Sequence, residues 1–271
     1  MKISRTTALP YIIWMVVFTV IPLALVTYFA FTDGSGAFTF DNISAVSDYV
    51  AVIFRSIWLA FIATVICLVI AYPLAYIISR ADPKKQQNYL LLVMLPMWMN
   101  FLLRTYAWMT LLENTGIINK LLGLIGFGPY AMINTQGAVV LGMVYNYLPC
   151  MILPLYSIMV KIDNRLVEAA QDLGAPARKV FSQVVWPLSV PGVMSGITMV
   201  FVPAVSTFII SRMLGGGSNM MIGDLIELQF LGNAYNPHLG AAISLGLMIL
   251  ILLCMSMLDQ LNEEDKEGMI I

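Results

Sequence analysis

Long apolar stretches alternate with short polar connections along the whole chain of 271 residues. Six of these stretches reach or approach the roughly 20 residues that a helix needs to cross the hydrocarbon core of a bilayer. Because lipid cannot satisfy exposed backbone groups, and because the stretches lack the alternation of barrel strands, each is predicted to be a helix. The six predicted spans are 9–31, 56–79, 89–112, 137–160, 192–213 and 239–258.

The composition supports the same class. Hydrophobic residues make up 60% of the chain and charged residues 11%, whereas soluble domains carry about a quarter charged residues. A soluble globule of this length could not cover so much apolar surface, so the sequence predicts an all-α integral membrane protein. The first stretch is long and no small-residue cleavage site follows it, which favours a retained helix over a signal peptide.

The basic residues concentrate before the first predicted span, between the second and third, and between the fourth and fifth. They are Lys2, Arg5, Arg80, Lys84, Lys85, Lys161, Arg165, Arg178 and Lys179. The positive-inside rule therefore predicts that both termini and the connection 161–191 face the cytoplasm. The net charge is −1 and no other basic patch is present, so a nucleic-acid partner is not expected.

Chemistry-bearing residues are sparse. Cys67, Cys150 and Cys254 lie in three different spans, which predicts packing residues and neither a disulfide nor a metal site. The run 215–217 is all glycine but lacks the following Lys and Ser or Thr of a phosphate-binding loop. We expect no metal and no cofactor bound by this chain.

The polar connection 161–191 carries helix start and stop signals. Asp163 or Asn164 can cap a helix start, and Gly174 lies where a helix favours a left-handed C-terminal residue. The two helices that these signals predict are 165–173 and 176–185, followed by Pro187 and Pro191. Since proline disfavours helix continuation, the sequence predicts a helix–turn–helix elbow that returns to the membrane at the prolines.

One face of the first predicted elbow helix suits contact with another protein. Its members recur at three- and four-residue spacing, and they are Leu166, Ala169, Ala170 and Leu173. The two alanines keep the surface low in relief, so a partner can approach closely. Glu168 lies near the helix start, where the helix dipole favours negative charge by about 0.3–1 kcal/mol.

The elbow resembles the signature loop of ABC-importer permeases. The match comprises Glu168, Ala169, Ala170, Gly174, Val184, Pro187, Pro191 and Gly192. The resemblance implies a single permease domain over 1–271, with six spans, the type I ABC importer fold and a cytoplasmic coupling loop at 161–191. It assigns ATPase coupling to Glu168, Ala169, Ala170, Gly174 and Pro187. It also implies a pore subunit without catalytic residues, because ATP and Mg would bind to the partner ATPase.

Three further segments resemble the permeases of spermidine/putrescine importers, and the likeness is greatest to the first of that importer's two permease subunits. These segments are 95–106, 141–156 and 213–231. The resemblance implies a bacterial inner-membrane complex that imports polyamines. Its other parts would be a second homologous permease, two ATPase subunits and an extracytoplasmic polyamine-binding protein.

A flexible polycation favours aromatic faces and carboxylates along its path. The candidate path residues are Tyr106, Trp108, Tyr145, Tyr147, Asp224 and Glu227. The aromatic residues equally fit an interfacial belt or helix packing. For the two carboxylates, a solvated face or a docking site for the binding protein is favoured over a place in the path. Arg104 lies within the third span and would repel a polycation, so we expect it to be a structural intramembrane charge.

Three alternatives stay open at this point. The first is an ABC permease whose cargo is another small solute, such as an amino-acid derivative, thiamine or iron. A secondary transporter would place ion-binding groups at the membrane midplane, but the predicted spans hold almost no acidic residue. A structural or assembly factor without cargo is the third class.

Overall fold

The computed structural model describes residues 5–232 and 234–268, and this part of the chain is helical throughout apart from its connections. An isolated bridge between Thr32 and Phe38 is the one β-type pairing among these residues. The helices are α1 (Arg5–Met15), α2 (Ile21–Ala30), α3 (Asp41–Ala45), α4 (Val50–Arg80), α5 (Pro83–Trp98), α6 (Phe101–Leu112), α7 (Ile117–Leu124), α8 (Gln136–Met159), α9 (Asn164–Asp172), α10 (Ala177–Val180), α11 (Trp186–Val205), α12 (Ile209–Gly215), α13 (Ile222–Leu231) and α14 (Pro237–Gly268).

The described residues form two compact units. The first holds the residues before Phe54 together with Leu225–Leu252, and the second holds Phe54–Asp224 together with the residues after Leu252. In the first unit, Ala30, Ala241 and Ala242 are buried together. The imidazole Nδ1 of His238 lies 3.1 Å from the carbonyl oxygen of Phe29. Small residues thus let α2 and α14 approach closely in this unit.

Five helical segments of the described chain are long and apolar enough to cross a membrane, and a bent pair makes a sixth if it counts as one span. The bent pair corresponds to the predicted third span, 89–112, which is therefore not one straight helix. Its two parts, Pro83–Trp98 and Phe101–Leu124, meet at 84°. The break has a local cause: Met99 and Asn100 are extended, and the Asn100 side chain accepts hydrogen bonds from the backbone N–H groups of Leu102 and Leu103 at 2.9 and 3.4 Å. Asn100 therefore starts a new helix inside an apolar run.

The predicted end of the helix at Pro187 and Pro191 is wrong. Helical structure continues from Ala177 through Val205, so the segment predicted as 192–213 starts 15 residues earlier than expected. A π-helical turn at Phe181–Val185 directly precedes α11 and holds a bond from the Trp186 N–H to the carbonyl of Phe181. Proline clashes with the carbonyl four residues before it, and for Pro187 that residue lies inside the wider turn. The helix therefore continues through Pro187 instead of ending there.

The same local arrangement occurs near the N-terminus. A π-helical turn at Val16–Val20 directly precedes Pro22, and the Ile21 N–H donates to the carbonyl of Val16. The residue four before Pro22 again lies inside the wide turn. Two of the prolines in apolar helices are thus accommodated by an extra residue per turn and not by a helix end.

The predicted fifth span also ends early, because α11 stops at Val205 and α12 begins at Ile209. The hydroxyl of Tyr147 donates to the carbonyl of Pro203 at 3.3 Å, which satisfies one of the end carbonyls of α11. After the break, α12 packs on α8. A Cβ at Gly142 would lie 2.5 Å from Leu214, so only glycine permits this approach.

The core of the second unit forms where α4, α8 and α11 meet. Its fully buried members include Cys67, Ala71, Met151 and Leu155. A Cβ at Gly196 would lie 2.5 Å from the sulfur of Met151, so α11 and α8 are in close contact there. Small residues at helix contacts are the packing mode expected inside a bilayer, and Cys67 is a packing residue as predicted.

Candidate functional site

The first elbow helix, α9, has the start predicted from its sequence. Asp163 is the capping residue, and its carboxylate accepts a hydrogen bond from the Arg165 N–H at 3.0 Å. The α9 side chains Glu168 and Ala169 are exposed, and Ala170 is half-buried. The surface that carries the Glu-Ala-Ala triplet is therefore accessible from outside this chain.

The end of α9 is set by Gly174, which adopts the predicted left-handed conformation with φ +79°. Its N–H donates to the carbonyl of Gln171 at 2.8 Å, and the Ala175 N–H donates to the carbonyl of Ala170 at 3.1 Å. These two bonds form a Schellman motif, in which a residue without a Cβ turns the chain sharply away from the helix axis. The turn places α10 directly after α9.

Exposed apolar side chains lie near both ends of α9. Leu173 is 89% exposed, and Leu166 is also exposed. Exposed leucines on a short polar segment indicate a protein contact surface. The spacing predicted their common face, whereas the extreme exposure of Leu173 follows only from the turn at Gly174.

Sequence reasoning missed Arg80, which was interpreted only as part of a topology-setting charge cluster. Its Nη1 group donates to the carbonyl of Ile162 at 3.1 Å and to the Oδ1 atom of Asn164. Its guanidinium also lies over the Tyr76 ring, 5.4 Å from the ring centre. The C-terminal end of α4 thereby contacts the start of α9, 84 residues further along the chain. No spacing rule connects positions so far apart.

Trp108 and Tyr145, two of the predicted path residues, lie together. Their rings meet edge to face with centres 5.5 Å apart. Both line a groove of about 700 Å³, together with aliphatic side chains of α4 and α8 such as Ile66 and Leu148. The groove thus combines an apolar wall with the aromatic faces that attract cations.

The other two aromatic candidates lie elsewhere. Tyr106 is exposed, two residues before Trp108 and on a different side of α6. Tyr147 packs against the buried core and donates to the carbonyl of Pro203. The structure therefore brings together only one pair of the four aromatic residues.

Asp224 is not on a solvated face. It is 3% exposed, and its carboxylate accepts a hydrogen bond from the Met221 N–H at 2.8 Å, at the start of α13. The neighbouring Ile222 N–H donates to the hydroxyl of Ser56 at 2.8 Å. Glu227, one turn further along α13, is half-buried. Asp224 thus helps to hold the start of α13 through its carboxylate.

Arg104 is buried just after the break between α5 and α6. It is 7% exposed, and its guanidinium lies over the Phe101 ring at 5.9 Å and within electrostatic range of the Cys150 thiol. Its Nε and Nη1 groups have no acceptor among the described residues. A buried cation without a carboxylate partner is costly, so its environment within this chain does not by itself stabilise the charge.

The first polar connection after α2 holds a compact turn. The Asp33 carboxylate accepts hydrogen bonds from the Ser35 hydroxyl at 2.6 Å and from the backbone N–H groups of Ser35 and Ala37, each at 2.9 Å. The Ser35 hydroxyl, followed by these backbone groups, lowers the pKa of Asp33 below its usual value. In the described part of the chain, no group of three or more His, Cys, Asp or Glu side chains is arranged to hold a metal ion.

No family model matches the chain, but comparison with individual proteins identifies relatives. The chain is 38% identical over 262 residues to the spermidine/putrescine transport system permease protein PotB of Haemophilus influenzae, which covers 93% of this chain and 91% of that protein. It is 35% identical over 266 residues to the PotB protein of Salmonella typhimurium, with 92% of each chain covered.

Two solved structures share the fold. A bacterial ABC transporter that imports the acidic polysaccharide alginate matches with a TM-score of 0.82 at 16% identity, over 96% of this chain and 94% of that chain. A bacterial alginate ABC transporter in complex with an alginate pentasaccharide-bound periplasmic protein matches with a TM-score of 0.81, also at 16% identity, over 96% and 93%. The fold is that of an ABC importer permease. From the identity and coverage of its relatives, the chain belongs to the family of permease proteins of the spermidine/putrescine transport system.

Proposed function

We propose that this chain forms the translocation path for polyamines in an ATP-driven importer. The observation that carries the proposal is the likeness to polyamine-system permeases over 93% of the chain, which includes the exposed elbow at α9. The relatives' names supply the substrate class, spermidine and putrescine. The alginate transporters share the fold at 16% identity, so they support the architecture and not the cargo.

The elbow is proposed as the surface that a partner ATPase binds. Glu168 and Ala169 are exposed on α9, Leu173 is exposed directly after it, and Gly174 turns the chain away from the helix axis. ATP and Mg would bind in the partner, and closure of two ATPase subunits would displace α9 and the long helices joined to it. Differential contact in the open and closed states supplies the driving force. Pro187 lies in the first turn of α11, which follows the elbow, and is included in the proposed coupling segment.

The other proposed partners are a second homologous permease and an extracytoplasmic polyamine-binding protein. A periplasmic protein accompanies the alginate transporter of similar fold, which supports the second partner. The positive-inside rule supports cytoplasmic termini and a cytoplasmic α9, in a multi-pass protein of the bacterial inner membrane.

The groove between α4, α6 and α8 is proposed to contribute to the path. Trp108 and Tyr145 offer ring faces to ammonium groups, each contact being worth about 0.5–2 kcal/mol depending on desolvation. Tyr106, Tyr147, Asp224 and Glu227 complete the candidate set, with Tyr147 and Asp224 acting through the helix ends that they hold. Arg104 is proposed as a structural charge that is paired in the assembled complex, because a cation in the path would repel the cargo.

Transport in a reconstituted complex tests the proposal. Vesicles containing this chain, the second permease and the ATPase are supplied with binding protein, ATP and labelled spermidine or putrescine. Uptake that requires both ATP and binding protein is expected for at least one polyamine. Absence of uptake for both would favour another small solute, and uptake without the ATPase would favour a secondary transporter.

A further inference from the structure

The cytoplasmic end of α4 is tied to the start of α9 by one side chain. Arg80, the last residue of α4, donates from Nη1 to the backbone carbonyl of Ile162 and to the side-chain oxygen of Asn164, the first residue of α9. Its Nε and Nη2 atoms are buried and have no hydrogen-bond partner among the described residues, so Nη1 alone makes both hydrogen bonds. Ile162 is itself buried, which fixes the accepting carbonyl in place.

A second tie lies beside the first. The hydroxyl of Tyr156 on α8 donates to Gln86 Oε1 at 2.8 Å. The Nε2 group of Gln86 in turn donates to the carbonyls of Ser79 and Ala81 at 3.1 and 2.7 Å. Gln86 thus closes the connection between α4 and α5 and links it to α8. Both ends of this connection are held against the segment that carries α9.

The covalent chain joins α9 to α8 on one side and to α10 and α11 on the other, but α4 and α5 are far from α9 in sequence. Force applied to α9 reaches α4 and α5 only through contacts between side chains and backbone. We propose that Arg80 is a positioning residue that makes the α4–α5 hairpin move with α9 when the ATPase subunits close. This inference rests on the proposed coupling function of α9 and adds α4 and α5 to the helices that α9 would move.

The chemistry of the side chain fits this role better than a general cytoplasmic charge does. A planar guanidinium holds two acceptors and stacks on Tyr76 at the same time, whereas an ammonium presents a single point charge on a flexible stem. Lys84 lies four residues away, in the first turn of α5, and is exposed. It carries the same charge for membrane topology and makes neither contact of Arg80, which makes it a matched control.

The test measures spermidine transported per ATP hydrolysed in the reconstituted complex. Arg80→Lys and Arg80→Gln are expected to lower this ratio about tenfold, with the ATPase rate changed less than twofold. Asn164→Ala removes one acceptor without altering Arg80 and is expected to lower the ratio about threefold. Asn164→Asp keeps an acceptor for the guanidinium and is expected to stay near the wild-type ratio. Lys84→Gln is expected to behave as wild type.

The outcomes distinguish the proposed positioning role of Arg80 from the coupling function on which it rests. If Arg80→Lys and Asn164→Ala transport with the wild-type ratio while Glu168→Lys and Gly174→Val do not, the role of Arg80 is refuted and the coupling role of α9 stands. Equal losses of transport per ATP in Arg80→Gln and Lys84→Gln would assign Arg80 to membrane topology alone and would also refute its positioning role. If Glu168→Lys and Gly174→Val both transport normally, the proposed coupling function itself fails. If the Arg80 variants do not insert, the pair Asn164→Ala and Asn164→Asp decides the matter alone.

Discussion

The connection between α8 and α10 and the connection between α11 and α13 both separate long apolar helices, yet they are built differently. In the first, α9 presents exposed residues, local bonds at Asp163 and Gly174 define its shape, and Arg80 adds long-range bonds at its start. In the second, the start of α13 is buried, and long-range bonds hold the chain, such as Arg55 to the Ser218 carbonyl at 2.8 Å and Asn134 to the Leu214 carbonyl at 2.8 Å. We therefore expect the exposed surface of the first connection to tolerate substitution without loss of the fold, and the close contacts of the second not to.

The largest expected effect is a loss of stability at the connection between α11 and α13, which we call the buried connection because the start of α13 is buried. A Cβ at Gly223 would lie 2.5 and 2.6 Å from the backbone carbonyl oxygens of Ser206 and Thr207, and backbone cannot move aside cheaply. Gly223→Ala is expected to destabilise the protein by about 3 kcal/mol or more and to remove most of it from the membrane fraction. Gly217→Ala is the control, because its added Cβ meets nothing within 4 Å. Normal yield and thermal stability of Gly223→Ala would show that the connection is loosely held.

The next effect is on function without loss of the fold. Gly174→Val forces a branched residue into a left-handed conformation at the end of α9, which costs about 1–2 kcal/mol locally. We expect the variant to insert and assemble, while ATP-driven transport in vesicles falls at least tenfold. Gly126 also has a positive φ, +87°, and open space around it, so Gly126→Val applies the same strain at a distant connection. Equal transport losses in both variants would argue against a specific role for the elbow.

A smaller effect is expected from the exposed leucine at the elbow. Leu173→Ser removes an apolar side chain that is 89% exposed in the isolated chain, so its folding stability should not change. If the ATPase buries this side chain, its affinity for the permease should fall tenfold or more, because burying a leucine side chain contributes about 1.5–3 kcal/mol and about 1.4 kcal/mol is a tenfold change. Leu124, 83% exposed in α7, provides the control Leu124→Ser. Unchanged ATPase binding by Leu173→Ser, measured by co-purification or titration, would exclude the leucine from the contact.

The smallest effect distinguishes the hydrogen bonds of the buried connection from its packing. The side-chain amide of Asn219 donates to the carbonyls of Asn134 and Gly215, both at 2.9 Å. Asn219→Ala should cost about 1–2 kcal/mol and lower the melting temperature by a few degrees, with transport per folded complex unchanged. A melting temperature equal to that of the wild type would mean that packing alone holds this connection.

The local features of the elbow were predictable because they depend on neighbours in sequence. A capping carboxylate at Asp163 and a left-handed glycine at Gly174 act within one helical turn, so their residue types indicate the structure. The prolines were misleading, since Pro187 follows a π-helical turn that the sequence does not announce. The break at Asn100 was missed because polar residues are expected to end apolar runs and not to cap a helix within one.

The candidate path was predicted less well than the elbow. The sequence identified aromatic and acidic residues of suitable chemistry, but only Trp108 and Tyr145 meet in one groove. Asp224 is buried at the start of α13, and Tyr147 satisfies a helix end. Chemistry suited to a polycation is also suited to helix packing, and only the tertiary contacts distinguish the two uses.

By itself, the sequence determined the solvent of this protein, its helical class and the shape of the turn at the end of α9. Those properties follow from apolar length, charge distribution and residue-level backbone preferences, which act locally. Only the tertiary structure decided that the third span is bent by 84°, that α10 and α11 run on from the elbow, and that Arg80 reaches α9. The bend and the continuous helix arise from hydrogen bonds at Asn100 and at the π-helical turn that residue types alone did not indicate. The contact of Arg80 joins groups distant in sequence, and no local pattern records such partners.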